Sequence, residues 1–163
     1  MAAPRLTASR RLPAVVRKVL PWLAAWWTFQ LVVGGIVRLV ALRKNEGDET
    51  STSIRRLQAL GPVELRPTNP SLTRVRIGLV MAGGVLDLTA LPRVPGGIDV
   101  TVRAVMGGMA VQVPPGWRVW WRFRGIGGIG ADGPVVRARD EVGADVRLHV
   151  VTVLGGLGIE SSA

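Results

Sequence analysis

From residue 74 to the end of the chain, apolar residues alternate with polar or small ones in runs that halt at a small pair and then resume. In "RVRIGLVMAGGVLDLTALP" (74–92), Val75, Ile77, Leu79 and Met81 alternate with Arg74, Arg76 and Gly78. In "IDVTVRAVMGGMAVQVPP" (98–115), Val100, Val102, Ala104 and Met106 alternate with Asp99, Thr101 and Arg103. "WRVWWRFRGIGGIGADGP" (117–134) and "ADVRLHVVTVLGGLGIESS" (144–162) repeat the arrangement, and "LQALGPVELRP" (57–67) is a shortened copy with Gly61–Pro62 in place of the glycine pair. Alternation of period two puts every second side chain on one face of an extended chain, so each run predicts a strand with one buried face. Residues 54–163 therefore read as an all-β domain.

The small pairs begin at residues 61, 83, 107, 127 and 155. Gly83, Gly84, Gly107, Gly108, Gly127, Gly128, Gly155 and Gly156 are read as structural turns, since glycine permits positive φ and close backbone approach. Two architectures satisfy this spacing. Glycine pairs can close two-residue hairpins and give an antiparallel β-sandwich. Alternatively, each repeat is one coil of a β-solenoid, with the glycines stacked at equivalent corners. The motif recurs in one orientation with its apolar positions aligned, which favours the solenoid-like, repeat-built domain.

Ahead of the repeats the pattern is different. Nineteen residues between Lys18 and Arg38, "VLPWLAAWWTFQLVVGGIV", carry no charge. As a helix they would extend ~28 Å, close to the ~30 Å hydrocarbon core of a bilayer. Trp22, Trp26, Trp27 and Phe29 crowd the first half, where an interfacial aromatic belt sits, and Pro21 falls in the first turn. A transmembrane helix over 19–42 is expected, preceded by a basic tail (1–18) and followed by a polar, flexible linker (43–53). The apolar run exceeds the usual ~7–15 residues of a signal peptide and no small-residue cleavage site follows it, so the segment is read as a retained single-pass anchor. Arg5, Arg10, Arg11, Arg17 and Lys18 precede it and Arg38, Arg43, Lys44, Arg55 and Arg56 follow it. With the amino terminus added, the positive-inside rule leans towards a cytoplasmic N-terminus.

The net charge of +10 would point to nucleic acid if it lay on the β-domain. It does not: residues 1–66 hold eleven basic and four acidic groups, residues 67–163 only ten against seven. No nucleic-acid partner is expected. "WRVWWRFR" is then a strand, with Trp117, Val119, Trp121 and Phe123 towards the core. Arg118, Trp120, Arg122 and Arg124 face outwards, where Trp120 can lie between guanidinium groups. Cysteine is absent, which removes disulfides and thiolate metal sites. "GIGGIG" (125–130) matches the dinucleotide fingerprint in letters, but Gly133 and Pro134 stand where its helix should open and Val150 where its acidic residue should be. His149 is the sole histidine, expected to be solvent-facing or locally hydrogen-bonded. Asp87, Asp99, Asp132 and Asp145 lie beside turns or on strand faces. No catalytic, cofactor-binding or metal-ligating residues are assigned, and no enzyme activity is expected.

With these residues in view, "LGPVELRP", "VMAGGVLDLTAL", "GGIDVTVRAVMGGMAVQVPPGWRV" and the terminal "VTVLGGLGIE" resemble the C-terminal (toastrack-like) domain of LiaF-type cell-wall-active-antibiotic response proteins. The resemblance covers about residues 54–163, and its most specific element is a glycine pair, a short strand and then "VPPGW". Similar domains occur in actinobacterial membrane proteins, and nineteen Arg against two Lys would suit a GC-rich genome. The resemblance implies a solenoid-like domain attached to the membrane that acts by protein contacts, through a membrane sensor protein, in the envelope-stress response. It offers no catalytic residues, and Gly83, Gly84, Gly107, Gly108, Pro114, Pro115 and Trp117 are structural in it. LiaF proper has several membrane helices where this chain has one.

Three roles follow as expectations: a sensory or protein-interaction module, a scaffold that self-associates through open strand edges, and a binder of anionic lipid or wall polymer at the membrane surface. The third rests on Arg74, Arg76, Arg103, Arg118, Arg122, Arg124 and Arg147, all on the outward side of the alternation, with Arg118, Arg122 and Arg124 as its central candidates. Planar guanidinium suits phosphate. Neighbouring Asp87, Asp99 and Asp145, with salt, could equally compensate these charges.

Overall fold

The computed structural model describes residues 21, 22, 25–28, 32, 35 and 45–161. The chain divides into two compact units, Met1–Gly35 and Ile36–Ala163. In the first, all the described residues are helical, and Trp22, Trp26 and Trp27 are exposed. Among the described residues no helix is long and apolar enough to cross a membrane. Most of the expected anchor, the whole basic tail and all the charges used for orientation except Arg55 and Arg56 lie outside the described residues.

The second unit is all β. Its strands are β1 (Ser53–Leu65), β2 (Arg74–Asp87), β3 (Ile98–Val105), β4 (Gly108–Val113), β5 (Arg118–Asp132), β6 (Val136–Arg137) and β7 (Val146–Ser161). They form one sheet in which every pairing between named strands is parallel. The antiparallel alternative is thereby corrected, because the glycine pairs close no hairpins. They sit inside or between collinear strands, and the chain passes them without reversing. β1 also starts a few residues ahead of the expected repeat at 57.

What the small pairs mark is a corner. At four of them a residue with a side chain takes up left-handed backbone: Leu60 (φ 65°), Met106 (φ 53°) and Leu154 (φ 58°) directly before the pair, and Met81 (φ 51°) one residue earlier, before Ala82. Each adds one residue to its rung in step with its neighbours, bending the rung and shifting the phase of the alternation by one, and only Leu154 is a bulge, against β5. In β2 the buried positions are Val75, Ile77 and Leu79 before the corner, then Ala82 and Leu86 after it. In β7 they are Val146, Leu148, Val150 and Thr152, then Leu157 and Ile159. Without the phase shift, the second arm of each rung would turn its apolar side chains to solvent. β5 differs: it has no extra residue, its register slips against β7 between Ile126 and Gly127, and Gly125 (φ 130°) and Gly127 (φ 141°) accommodate the bend.

The corner brings backbones together. A Cβ on Gly107 would run into the carbonyl oxygen of Ala82, and one on Gly155 into that of Gly107. Glycine is required there by the neighbouring rung rather than by its own φ.

Both arms bury their apolar faces in one continuous cluster, which Leu72, Leu88, Leu91 and Trp117 from the connecting segments complete. The order across the sheet is β1, β2, β3 with β4, β7, β5, β6. The last rung in sequence is thus not last in space: β7 lies between β3/β4 and β5. The sheet resembles a solenoid in its parallel, in-register rungs and departs from one in their order. The polar segment expected as a flexible linker is tied down at residues 45–52. Glu46 bridges Arg55 antiparallel, Asn45 Oδ1 accepts the N–H of Leu57 at 2.8 Å, and Asp48 accepts from Thr50 and Ser51.

Candidate functional site

Parallel pairing in register aligns the outward residues of the first arms in rows across five strands. Strands lie ~4.8 Å apart, so residues in a row are immediate neighbours. The row nearest the strand starts is Ser53, Arg74, Asp99, Arg147, Trp120. Next come Arg55, Arg76, Thr101, His149, Arg122, and then Leu57, Gly78, Arg103, Val151, Arg124. The last row before the corner is Ala59, Val80, Val105, Val153, Ile126. Polarity therefore changes in steps along the strands, from mixed, through basic, to wholly apolar.

The arginines singled out from the sequence separate into two groups. Arg147 is compensated: its Nε donates to Asp99 Oδ1 at 2.6 Å and its Nη1 to the Gly96 carbonyl at 2.7 Å. That hydrogen bond holds the Asp99 carboxyl below its ordinary pKa against the opposing effect of partial burial, with the charges of Arg147 and Arg74 adding to it. Arg118 is compensated as well. Its backbone N–H donates to Asp145 Oδ2 at 2.8 Å, and its guanidinium lies 3.8 Å from the same oxygen. Arg118 lies on the same outward side of β5, one position ahead of the rows above, where it pairs with Val136 of β6.

Arg74, in the first row, lies opposite Asp99, and its charge helps to lower that carboxyl. Arg76, Arg103, Arg122 and Arg124 remain, joined by Arg55, which the sequence reading had not placed on this face. All five are exposed, and none forms an ion pair among the described residues. Glu46 borders the face through its backbone bridge to Arg55, and Glu141 reaches it at His149, 3.4 Å from Nε2. No acidic side chain stands within the last three rows. A groove of about 700 Å³ runs over this region, with Arg55, Arg76, Arg103, Leu57, Val80 and Val105 among the residues that line it.

The aromatic side chains are arranged differently from expectation. Trp120 does face outwards, but it meets His149 edge-on at 5.4 Å instead of lying between guanidiniums. The cation–π contact is made on Trp121, by Arg137 of β6 at 4.3 Å. Trp117 and Val119 are buried, and Trp121 and Phe123 pack partly buried against the core, as the alternation predicts. His149, expected to be solvent-facing or locally hydrogen-bonded, lies 3.4 Å from Glu141 of the β6–β7 connection.

The remaining candidate acids have local tasks. Asp87 accepts from the Thr89 hydroxyl at 2.5 Å and the Thr89 N–H at 2.9 Å. The hydroxyl contact chiefly, with Arg66 adding less, holds its carboxyl below the usual range. Asp132 ends β5, exposed. "GIGGIG" lies within β5, and no helix opens after it. Comparison of the chain with protein-family models, with curated proteins and with solved structures finds no match.

Proposed function

We propose that the chain is a membrane-tethered binding module of the LiaF type, acting in the cell-envelope stress response without catalysing a reaction. The apolar segment at 19–42 is its anchor, and the β-domain presents its stepped face to an anionic partner at the membrane surface. One observation carries this reading: Arg55, Arg76, Arg103, Arg122 and Arg124 stand together on one sheet face without ion-pair partners, while Arg118 and Arg147 nearby are compensated. Like charges on neighbouring strands repel, so an uncompensated set is a standing cost that a bound anion would relieve. Support for binding over catalysis comes from the candidate acids and the histidine, each of which except Asp132 has a structural partner.

The test is membrane fractionation with carbonate washing, together with deletion of the gene under wall-active antibiotics. Retention in the washed membrane and altered antibiotic sensitivity are expected. A chain released by carbonate would overturn the anchor, and an unchanged stress response would overturn the role.

A second reading, self-association, is favoured by one feature. β5 pairs with β6 only at Arg118 and Val119, so its outer edge from Trp120 to Asp132 is open among the described residues. Sedimentation of the detergent-solubilised chain decides it, and a monomer at tens of micromolar would exclude a strong assembly.

A further inference from the structure

The residues that make the corner are not the ones its geometry calls for. Left-handed backbone is cheapest for glycine, and a non-glycine residue held there costs ~1–3 kcal/mol. β5 turns the same corner with Gly125 and Gly127. Yet four of the five rungs place Leu60, Met81, Met106 or Leu154 at the strained position, and all four side chains are exposed, Leu154 at 59% and Met106 at 54%. Ile126 of β5, 64% exposed and paired with Val153, extends them onto the fifth strand from one position back. The five tips cross five adjacent strands, a ridge of ~19 Å at the ordinary strand spacing. Behind the ridge, Val105, Val151 and Val153 are also exposed, with Arg103 and Arg124 on either side of Val151 and Arg55, Arg76 and Arg122 one row further back.

We propose that this ridge and the arginine rows form a single docking face for an anionic phospholipid surface. The apolar tips enter the boundary between headgroups and acyl chains, and Arg55, Arg76, Arg103, Arg122 and Arg124 engage the phosphates above it. The inference rests on the anchor reading and deepens it by naming the ligand and the orientation of the domain. Interfacial binding combines apolar side chains buried ~5–10 Å deep with adjacent basic groups. Rows along a strand repeat every ~6.7 Å, which sets the arginine rows one to three steps behind the ridge, within reach of long side chains.

Two further observations favour a lipid surface over other occupants. A second copy of the same face would set five arginines against five. The ridge is a line of exposed apolar tips, suited to a fluid surface, whereas a protein partner would have to supply a matching apolar channel.

The chain contains no cysteine, so single labels can be placed cleanly. The experiment puts an environment-sensitive fluorophore on Met106→Cys, and separately on Val142→Cys, which is 94% exposed in the β6–β7 connection. Each full-length labelled chain is reconstituted into nanodiscs of phosphatidylcholine alone or mixed with phosphatidylglycerol, and quenching by acrylamide is measured across a salt series. A blue-shifted Met106 label with severalfold less quenching in anionic discs, reversed by salt, is expected. The Val142 label should be quenched equally in both. The combined Arg55→Ala, Arg76→Ala and Arg122→Ala changes should abolish the protection while near-ultraviolet circular dichroism stays unchanged. Should that variant misfold, the salt reversal in the otherwise unaltered chain still decides. Incorporation with a Met106 label equally quenched in both lipids overturns the docking face and leaves it to a protein partner. Failure to incorporate at all overturns the anchor and, with it, the tether.

Discussion

Two kinds of residue share the corner, and substitution should tell them apart. Gly107 and Gly155 lie where a Cβ meets the carbonyl of the next rung, whereas a Cβ on Gly130 meets nothing within 4 Å. Gly107→Ala and Gly155→Ala should each cost ~1–3 kcal/mol, the usual range for overpacking, and Gly130→Ala should stay within ~0.5 kcal/mol, as surface changes do. Thermal or urea unfolding measures both. Met81→Gly and Met106→Gly should instead be close to neutral, because relief of left-handed strain offsets the greater freedom glycine gives the unfolded chain. A loss of several kcal/mol for either would mean that these tips are structural. The Asp99–Arg147 bond sets a pH dependence at the same scale. The folded pKa of Asp99 is lowered, so its contribution is fully present above the unfolded value near ~3.9 and is lost as pH falls through the folded value. Asp99 is about a third exposed, which reduces the bond to about 1 kcal/mol. Asp99→Asn should therefore lower stability at neutral pH and flatten its decline below pH ~4, read from urea midpoints across the acid range.

Among the elements, β7 and β5 are opposites. β7 is paired along its whole length on both sides and buries Val146, Leu148, Val150 and Ile159. β5 is paired fully only with β7, and its stretch beyond Phe123 is mostly exposed. Amide exchange should be slowest in β7 around Leu148–Thr152 and orders of magnitude faster on the open edge of β5; uniform protection would contradict the open edge. Much at this scale was legible in the sequence, since the alternation in Val75–Leu79, Val100–Ala104 and Val119–Phe123 marks strands and their buried faces directly. The corner was legible only in part. The glycine pairs mark its place, but Met81 and Met106 read as the last buried positions of their runs and are exposed, and a local glycine pair reads equally as a hairpin turn. The partners Asp99–Arg147 and His149–Glu141 were not legible, since they depend on which strands adjoin and on where the β6–β7 connection returns. The same holds for Arg55, whose row exists only once β1 is paired in register with β2.

At the scale of the whole molecule the order of the rungs decides how the domain can fail. In a stack built in sequence order, the final rung caps the end and its removal leaves the others paired. Here the final rung is internal. β7 is the neighbour of β3, β4 and β5 at once, and β5 meets no other strand except at its first two residues. The interval between the glycine pairs at 127 and 155 is the longest of the series because the segment from Gly133 to Asp145 must carry the chain back across β5. A chain ending at residue 143 would leave β5 without its main partner and strip cover from Val100, Val102 and Val111 of the neighbouring rung. It should lose near-ultraviolet circular dichroism and cooperative unfolding altogether. Deleting β1, residues 53–65, removes a terminal rung that touches only β2, so that chain should keep a cooperative transition at a lower midpoint. Paired unfolding curves of the two deletions test the order directly. If the chain cut at 143 unfolds cooperatively and the β1 deletion does not, β7 is a cap and the rungs follow the sequence.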